Sequence, residues 1–123
     1  MPPPKPIDPA ERVERIVRVI RSLREGEVVT YGEIAADAGF AKMSRLVGRI
    51  LATVDDDLPW WRVVNSTGRL VPGHEREQIR LLKREGVTCA AGRVRAAKYG
   101  RFSRLPDPVR RAGQAASRSA PGS

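Results

Sequence analysis

Thr30-Tyr31-Gly32-Glu33-Ile34-Ala35-Ala36 is a helix start written in local chemistry. A threonine followed three residues later by a glutamate makes a capping box. The hydroxyl accepts a bond from the third helical N–H, and the carboxylate reaches back to the N–H of the cap itself. Ile34, Ala35, Ala36 and Ala38 continue a short apolar helix that Gly39 stops. After a turn, a second helix is predicted from Lys42 to about Val54, with Leu46, Val47, Ile50 and Leu51 on one face. Two short helices joined by a glycine-containing turn predict a helix-turn-helix.

Upstream, Val13, Ile16, Val17, Ile20 and Leu23 recur at helical spacing, opposite Glu11, Arg12, Glu14, Arg15 and Arg18. This amphipathic helix is expected to enter through Asp8-Pro9 and to end near Gly26. Glu27-Val28-Val29 reads as a brief extended link. Residues 1–9, four of the first six being proline, are expected to be an extended or disordered lead. Downstream, Asp55-Asp56-Asp57 is an acidic loop. A hairpin is expected next, Arg62–Val64 against Arg69–Val71, turning through Asn65–Gly68 so that Ser66, Thr67 and Arg69 form a wing tip. Glu75 to Glu85 is a third clear helix with Gly86 just past its end, and Val87–Thr88 with Arg93–Val94, around Ala91-Gly92, suggests a second, weaker hairpin. From about Phe102 the composition turns to Arg, Ser, Ala, Pro and Gly, the mark of a flexible tail.

The 123 residues fit one domain, and the formal net charge of +9 suits a polyanionic partner. Only four of the 23 basic residues are lysine, a bias that a GC-rich genome would also produce. The lone cysteine, Cys89, leaves no intramolecular disulfide and no cysteine-rich metal site. Met1-Pro2-Pro3-Pro4 carries no apolar leader and no run approaches the length of a membrane span. A soluble cytoplasmic protein is expected, without cofactor or metal.

Pro59-Trp60-Trp61-Arg62-Val63-Val64-Asn65 is the most unusual constellation in the chain. The proline sets the entry angle, and Val63-Val64 reads as a short buried strand. Two consecutive indoles in an extended stretch point to opposite faces, so at least one of them is expected at a cleft or surface.

This heptad resembles the active-site motif of the O6-alkylguanine-DNA alkyltransferases, Pro-Cys-His-Arg-Val-Val, with Trp60 in the place of the acceptor cysteine and Trp61 in the place of the histidine. Tryptophan for cysteine is the mark of the alkyltransferase-like proteins, which usually keep the histidine. The resemblance extends over about residues 10 to 100. It takes in Gly26-Glu27-Val28-Val29-Thr30-Tyr31-Gly32-Glu33-Ile34-Ala35, Ser44-Arg45-Leu46-Val47-Gly48, Arg84-Glu85-Gly86-Val87, Gly92-Arg93-Val94 and Tyr99-Gly100.

The resemblance implies a mainly α fold with small β hairpins, a winged helix-turn-helix domain of the alkyltransferase C-terminal type, over residues 10–101. Residues 102–123 are left as a disordered tail. It implies a non-enzymatic sensor that flips O6-alkylguanine out of double-stranded DNA and flags it for nucleotide excision repair proteins. Tyr31 would crowd the target phosphate, and Arg45 would fill the place of the departed base. Read without the resemblance, Arg45 is a solvent-facing arginine on an amphipathic helix. Ser44 and Gly48 would allow a close approach in the minor groove. Trp60, Trp61, Arg62 and Val63 of the heptad, with Ser66 and Arg69 of the wing, complete the expected DNA and lesion surface. Trp61 either repacks where the histidine sits or reshapes the pocket, and repacking is the expectation. His74 reads as a solvated loop residue and Cys89 as a half-buried strand residue, so no catalytic residue is expected. A monomer is expected, because one flipped nucleotide needs no palindromic half-sites. The competing reading is a winged-helix regulator without lesion specificity.

Overall fold

The computed structural model describes residues 7–54 and 57–103. The lead as far as Pro6, Asp55 and Asp56 of the acidic loop, and the tail beyond Ser103 lie outside the described residues.

Helix α1 (Pro9–Arg21) starts as its sequence dictates. Asp8 Oδ1 accepts the N–H of Ala10 at 2.9 Å, and Pro9 occupies the first turn. The helix stops at Arg21, short of the expected Gly26, where the Ser22 hydroxyl donates to the Val19 carbonyl at 2.6 Å. Ile16 and Ile20 are wholly buried, while Glu11–Arg15 and Glu14–Arg18 pair along the exposed face.

The expected link at Glu27 is instead the central strand. Strand β1 (Glu27–Thr30) is buried at all four residues. It pairs in parallel with β2 (Val63–Val64) on one side and β5 (Tyr99–Gly100) on the other. Val29 lies opposite Val63, and both enter a cluster with Ile16, Ile20, Ile34, Val47 and Ile50. Val28 and Val64 point the other way, into a second cluster with Leu70, Leu82, Val87 and Val94. A strand covered on both faces lacks the polar alternation that marks a half-exposed one. Gly100 lets β5 come close: at φ +85° it has no Cβ, which would stand 2.8 Å from the Val28 carbonyl oxygen.

Helix α2 (Tyr31–Asp37) carries the complete capping box. Glu33 N–H donates to Thr30 Oγ1 at 3.1 Å, and Thr30 N–H to Glu33 Oε1 at 3.0 Å. Helix α3 (Ser44–Thr53) follows a turn in which Lys42 takes a left-handed φ of 81°. Together α2 and α3 form the helix-turn-helix.

The expected first hairpin does not form. Val63 and Val64 pair with β1, and the returning segment pairs elsewhere, Arg69 bridging Arg93 and Leu70 N–H donating to Gly92 O at 3.0 Å. The turn itself holds: Asn65 Oδ1 accepts the N–H groups of Thr67 at 3.0 Å and Arg69 at 2.8 Å. Helix α4 (Glu75–Arg84) and the hairpin of β3 (Thr88–Ala90) with β4 (Arg93–Ala96) match expectation, with Ala91 and Gly92 both at positive φ in the turn. Phe102, where the composition shift begins, packs on the second cluster beneath Gly68. No helix among the described residues is long and apolar enough to cross a membrane.

Candidate nucleic-acid interface

Trp60-Trp61-Arg62 forms a single 3₁₀ turn rather than the extended segment its valine neighbours suggest. Arg62 N–H closes the turn on the Pro59 carbonyl at 3.1 Å. With about three residues per turn, successive side chains diverge by roughly a third of a circle. The two indoles accordingly sit edge to face, 6.3 Å apart with planes at 88°. Trp61 packs onto the second core cluster, and Trp60 faces a cleft.

Trp61 is held inward by Glu85, which follows the last residue of α4. The indole N–H donates to Glu85 Oε2 at 2.8 Å. Arg62 grips the same carboxylate with Nε at 3.0 Å and a terminal nitrogen at 2.7 Å, and donates to the Leu23 carbonyl at 2.9 Å. Gly26 N–H adds a fourth donor group at 2.9 Å. Glu85 thus clasps the α1–β1 turn, the 3₁₀ turn and the end of α4. Burial alone would raise its carboxyl, but the bonds from Arg62, Gly26 and Trp61, with the arginine's charge, outweigh burial and hold it below the ordinary carboxylate value. Gln78, fully buried on α4, adds a second tie: its amide donates to the carbonyls of Trp61 at 3.1 Å and Val63 at 3.2 Å and accepts Val71 N–H at 2.7 Å.

The cleft, about 400 Å³, is lined by Tyr31 at the start of α2, by Gly48, Leu51 and Ala52 on α3, by Trp60 and Val71, and by His74 and Glu77 beside and on α4. A Cβ on Gly48 would stand 3.9 Å from the Tyr31 ring, an ordinary contact distance, so α3 passes close beneath the phenol at this position. Burial pushes the Tyr31 phenol up from its ordinary value, keeping it a neutral donor. His74 packs on Trp60 with ring centres 6.0 Å apart and planes at 67°.

Of the residues expected at the surface, Tyr31, Gly48 and Trp60 meet in the cleft. Arg45 is exposed on α3, one turn before Gly48 on the same face, and Ser44 precedes it at the helix start. Ser66 is exposed on the Asn65–Gly68 turn and Arg69 just past it, both outside the cleft lining. Trp61, Arg62 and Val63 lie behind it. Val63 is wholly buried in the first core cluster, and Arg62 is engaged by Glu85. None of the three lines the cleft. His74, Leu51, Ala52, Val71 and Glu77 were missed. His74 follows Trp60 by fourteen positions with no local pattern linking them, so nothing in the sequence distinguishes it from a solvated turn residue.

A helix-turn-helix whose second helix borders an indole-walled cleft belongs to the helix-turn-helix class of DNA-binding domains. Residues 11–87 match the 6-O-methylguanine DNA methyltransferase DNA-binding domain, and the chain belongs to that family. It is 37% identical over 82 residues to a DNA base-flipping protein of Vibrio parahaemolyticus, a match covering 63% of this chain and 82% of that protein. It is also 37% identical over 68 residues to alkyltransferase-like protein 1 of Schizosaccharomyces pombe, covering 50% of this chain and 63% of the relative. The fold is that of S. pombe Atl1, solved in complex with damaged DNA containing O6-carboxymethylguanine. The TM-score is 0.63 at 24% identity, over 81% of this chain and 100% of that one.

Proposed function

We propose that this chain binds O6-alkylguanine in duplex DNA by turning the damaged nucleotide into the Trp60 cleft, and that it does not remove the alkyl group. The observation that carries the reading is an indole in the wall of a cleft bordered by both helices of the helix-turn-helix. The cleft's volume falls in the roughly 300–1,000 Å³ range of small-molecule sites. Stacking of a base on an aromatic side chain is worth about 1–3 kcal/mol. Base flipping in the Vibrio relative and damaged DNA on the S. pombe one support the same reading.

Extrusion costs a few kcal/mol, so the hole must be filled. Arg45, exposed one turn from the cleft, suits that task, because a guanidinium can bond the orphaned base and stack on its neighbours. Tyr31 presents its phenol at the start of α2, where it would crowd the target phosphate. Ser44 and Gly48 keep α3 slim enough for the minor groove.

Transfer would need a thiolate beside a base. Trp60 offers only an N–H donor. Cys89 lies in β3, outside the cleft lining, and burial pushes its thiol up, away from the reactive form. A lesion that is bound and not repaired serves as a flag, and nucleotide excision repair proteins are the proposed readers. The chain would work as a cytoplasmic monomer, since a single nucleotide is its target. Intact-protein mass spectrometry after incubation with an O6-methylguanine duplex tests the central step. An unchanged mass is expected, and a stoichiometric added methyl would overturn it.

A further inference from the structure

The cleft is not uniform. Leu51, Ala52, Val71 and Trp60 give it apolar walls, whereas one wall carries His74 and Glu77, three positions apart at the first turn of α4. The same two residues also line a neighbouring, more open groove with Gly73, Glu75, Arg76 and Arg80. His74 and Glu77 therefore form the ridge between the cleft and this groove. Any group that is too long for the cleft and leaves it on this side crosses the Glu77 carboxylate. Glu77 pairs with Arg80 at 3.7 Å, and both side chains are more than half exposed, so the carboxylate stays open to solvent on this side.

We propose that this ridge selects O6-substituents by charge, with Glu77 as the specificity-determining residue. Neutral substituents, and those ending in a hydrogen-bond donor, are accepted, and those ending in a carboxylate are disfavoured. The proposal rests on the lesion-binding reading above and deepens it. A carboxylate at a few ångströms from a carboxylate is repelled even through water, by about fivefold in affinity. A hydroxyl in the same place finds acceptors in Glu77 and in the imidazole of His74. The phosphate backbone repels Glu77 whichever adduct is present, so only the ratio between adducts is diagnostic.

The experiment measures dissociation constants by fluorescence anisotropy at low salt, where repulsion is least screened. Four duplexes are compared, identical except for one guanine: unmodified, O6-propyl, O6-(2-hydroxyethyl) and O6-carboxymethyl. Wild type is expected to bind the carboxymethyl duplex about fivefold more weakly than the propyl one. Glu77→Gln should bring that ratio to within about twofold, and Glu77→Lys should invert it, with thermal melts confirming that both variants are folded. A carboxymethyl-to-propyl ratio that is the same in wild type and both variants overturns the charge selection while leaving lesion binding intact. Equal binding of the unmodified and all alkylated duplexes overturns the lesion reading itself.

Discussion

Replacing Glu85 with alanine tests whether the clasp behind the cleft holds it in shape. The carboxylate's side chain is 6% exposed and that of Arg62 14%, so both charges are largely withdrawn from water. Removing Glu85 leaves the guanidinium with the Leu23 carbonyl, strands the Trp61 and Gly26 donors, and frees the end of α4 from the 3₁₀ turn. Breaking one side of such a buried pair costs about 3–5 kcal/mol. In a domain of this size each kcal/mol moves the melting temperature by about 4–8 °C, so a drop of at least about 12 °C is expected by circular dichroism. The double variant Arg62→Met/Glu85→Leu should recover much of the loss, because no uncompensated charge remains. The pH dependence has a definite sign. A carboxyl held below its ordinary value of 4.5 contributes stability that is fully present above that value and is lost as pH falls through the lowered one. The stability gap between wild type and Glu85→Gln should therefore be constant near neutrality and close on acidification. A fall of less than about 4 °C in Glu85→Ala would refute the reasoning, because the pair would then be behaving as a surface one.

Trp61→Phe keeps an aromatic ring on the second core cluster but loses the bond to Glu85. Urea titration should show a loss of about 1.5–3 kcal/mol, with the preference for alkylated over plain duplex unchanged. Arg45→Ala should weaken binding to an O6-methylguanine duplex far more than to the undamaged one in gel-shift titrations. Equal losses would mean that the arginine touches only phosphate.

What could be read from the sequence was what is local. The capping box at Thr30 and Glu33, the Asp8-Pro9 entry and the Ala91-Gly92 turn act over a few residues, and each lies where the chain chemistry puts it. What could not be read was partnership at a distance. Val28-Val29 looks like a link because its two faces are covered by different clusters, and Val63-Val64 pairs with β1 more than thirty positions upstream instead of with its neighbour across the turn. The same limit applied at the site. Trp60, Tyr31 and Gly48 were expected and meet in the cleft. Arg62 and Val63 were expected beside them, but a buried carboxylate twenty-three positions downstream of Arg62 and the first core claim them. His74 reached the cleft only because α4 returns past the 3₁₀ turn, tied there by Gln78.

Two otherwise identical duplexes, one carrying guanine and the other O6-methylguanine, bear most directly on whether Trp60 reads damage. The chain has two tryptophans, so Trp61→Phe makes Trp60 the sole indole and its emission an unambiguous report. The account predicts quenching by the modified duplex alone, and an affinity for it higher by about five- to 150-fold, the range that one stacked base provides. Superimposable titrations with the two duplexes would contradict it.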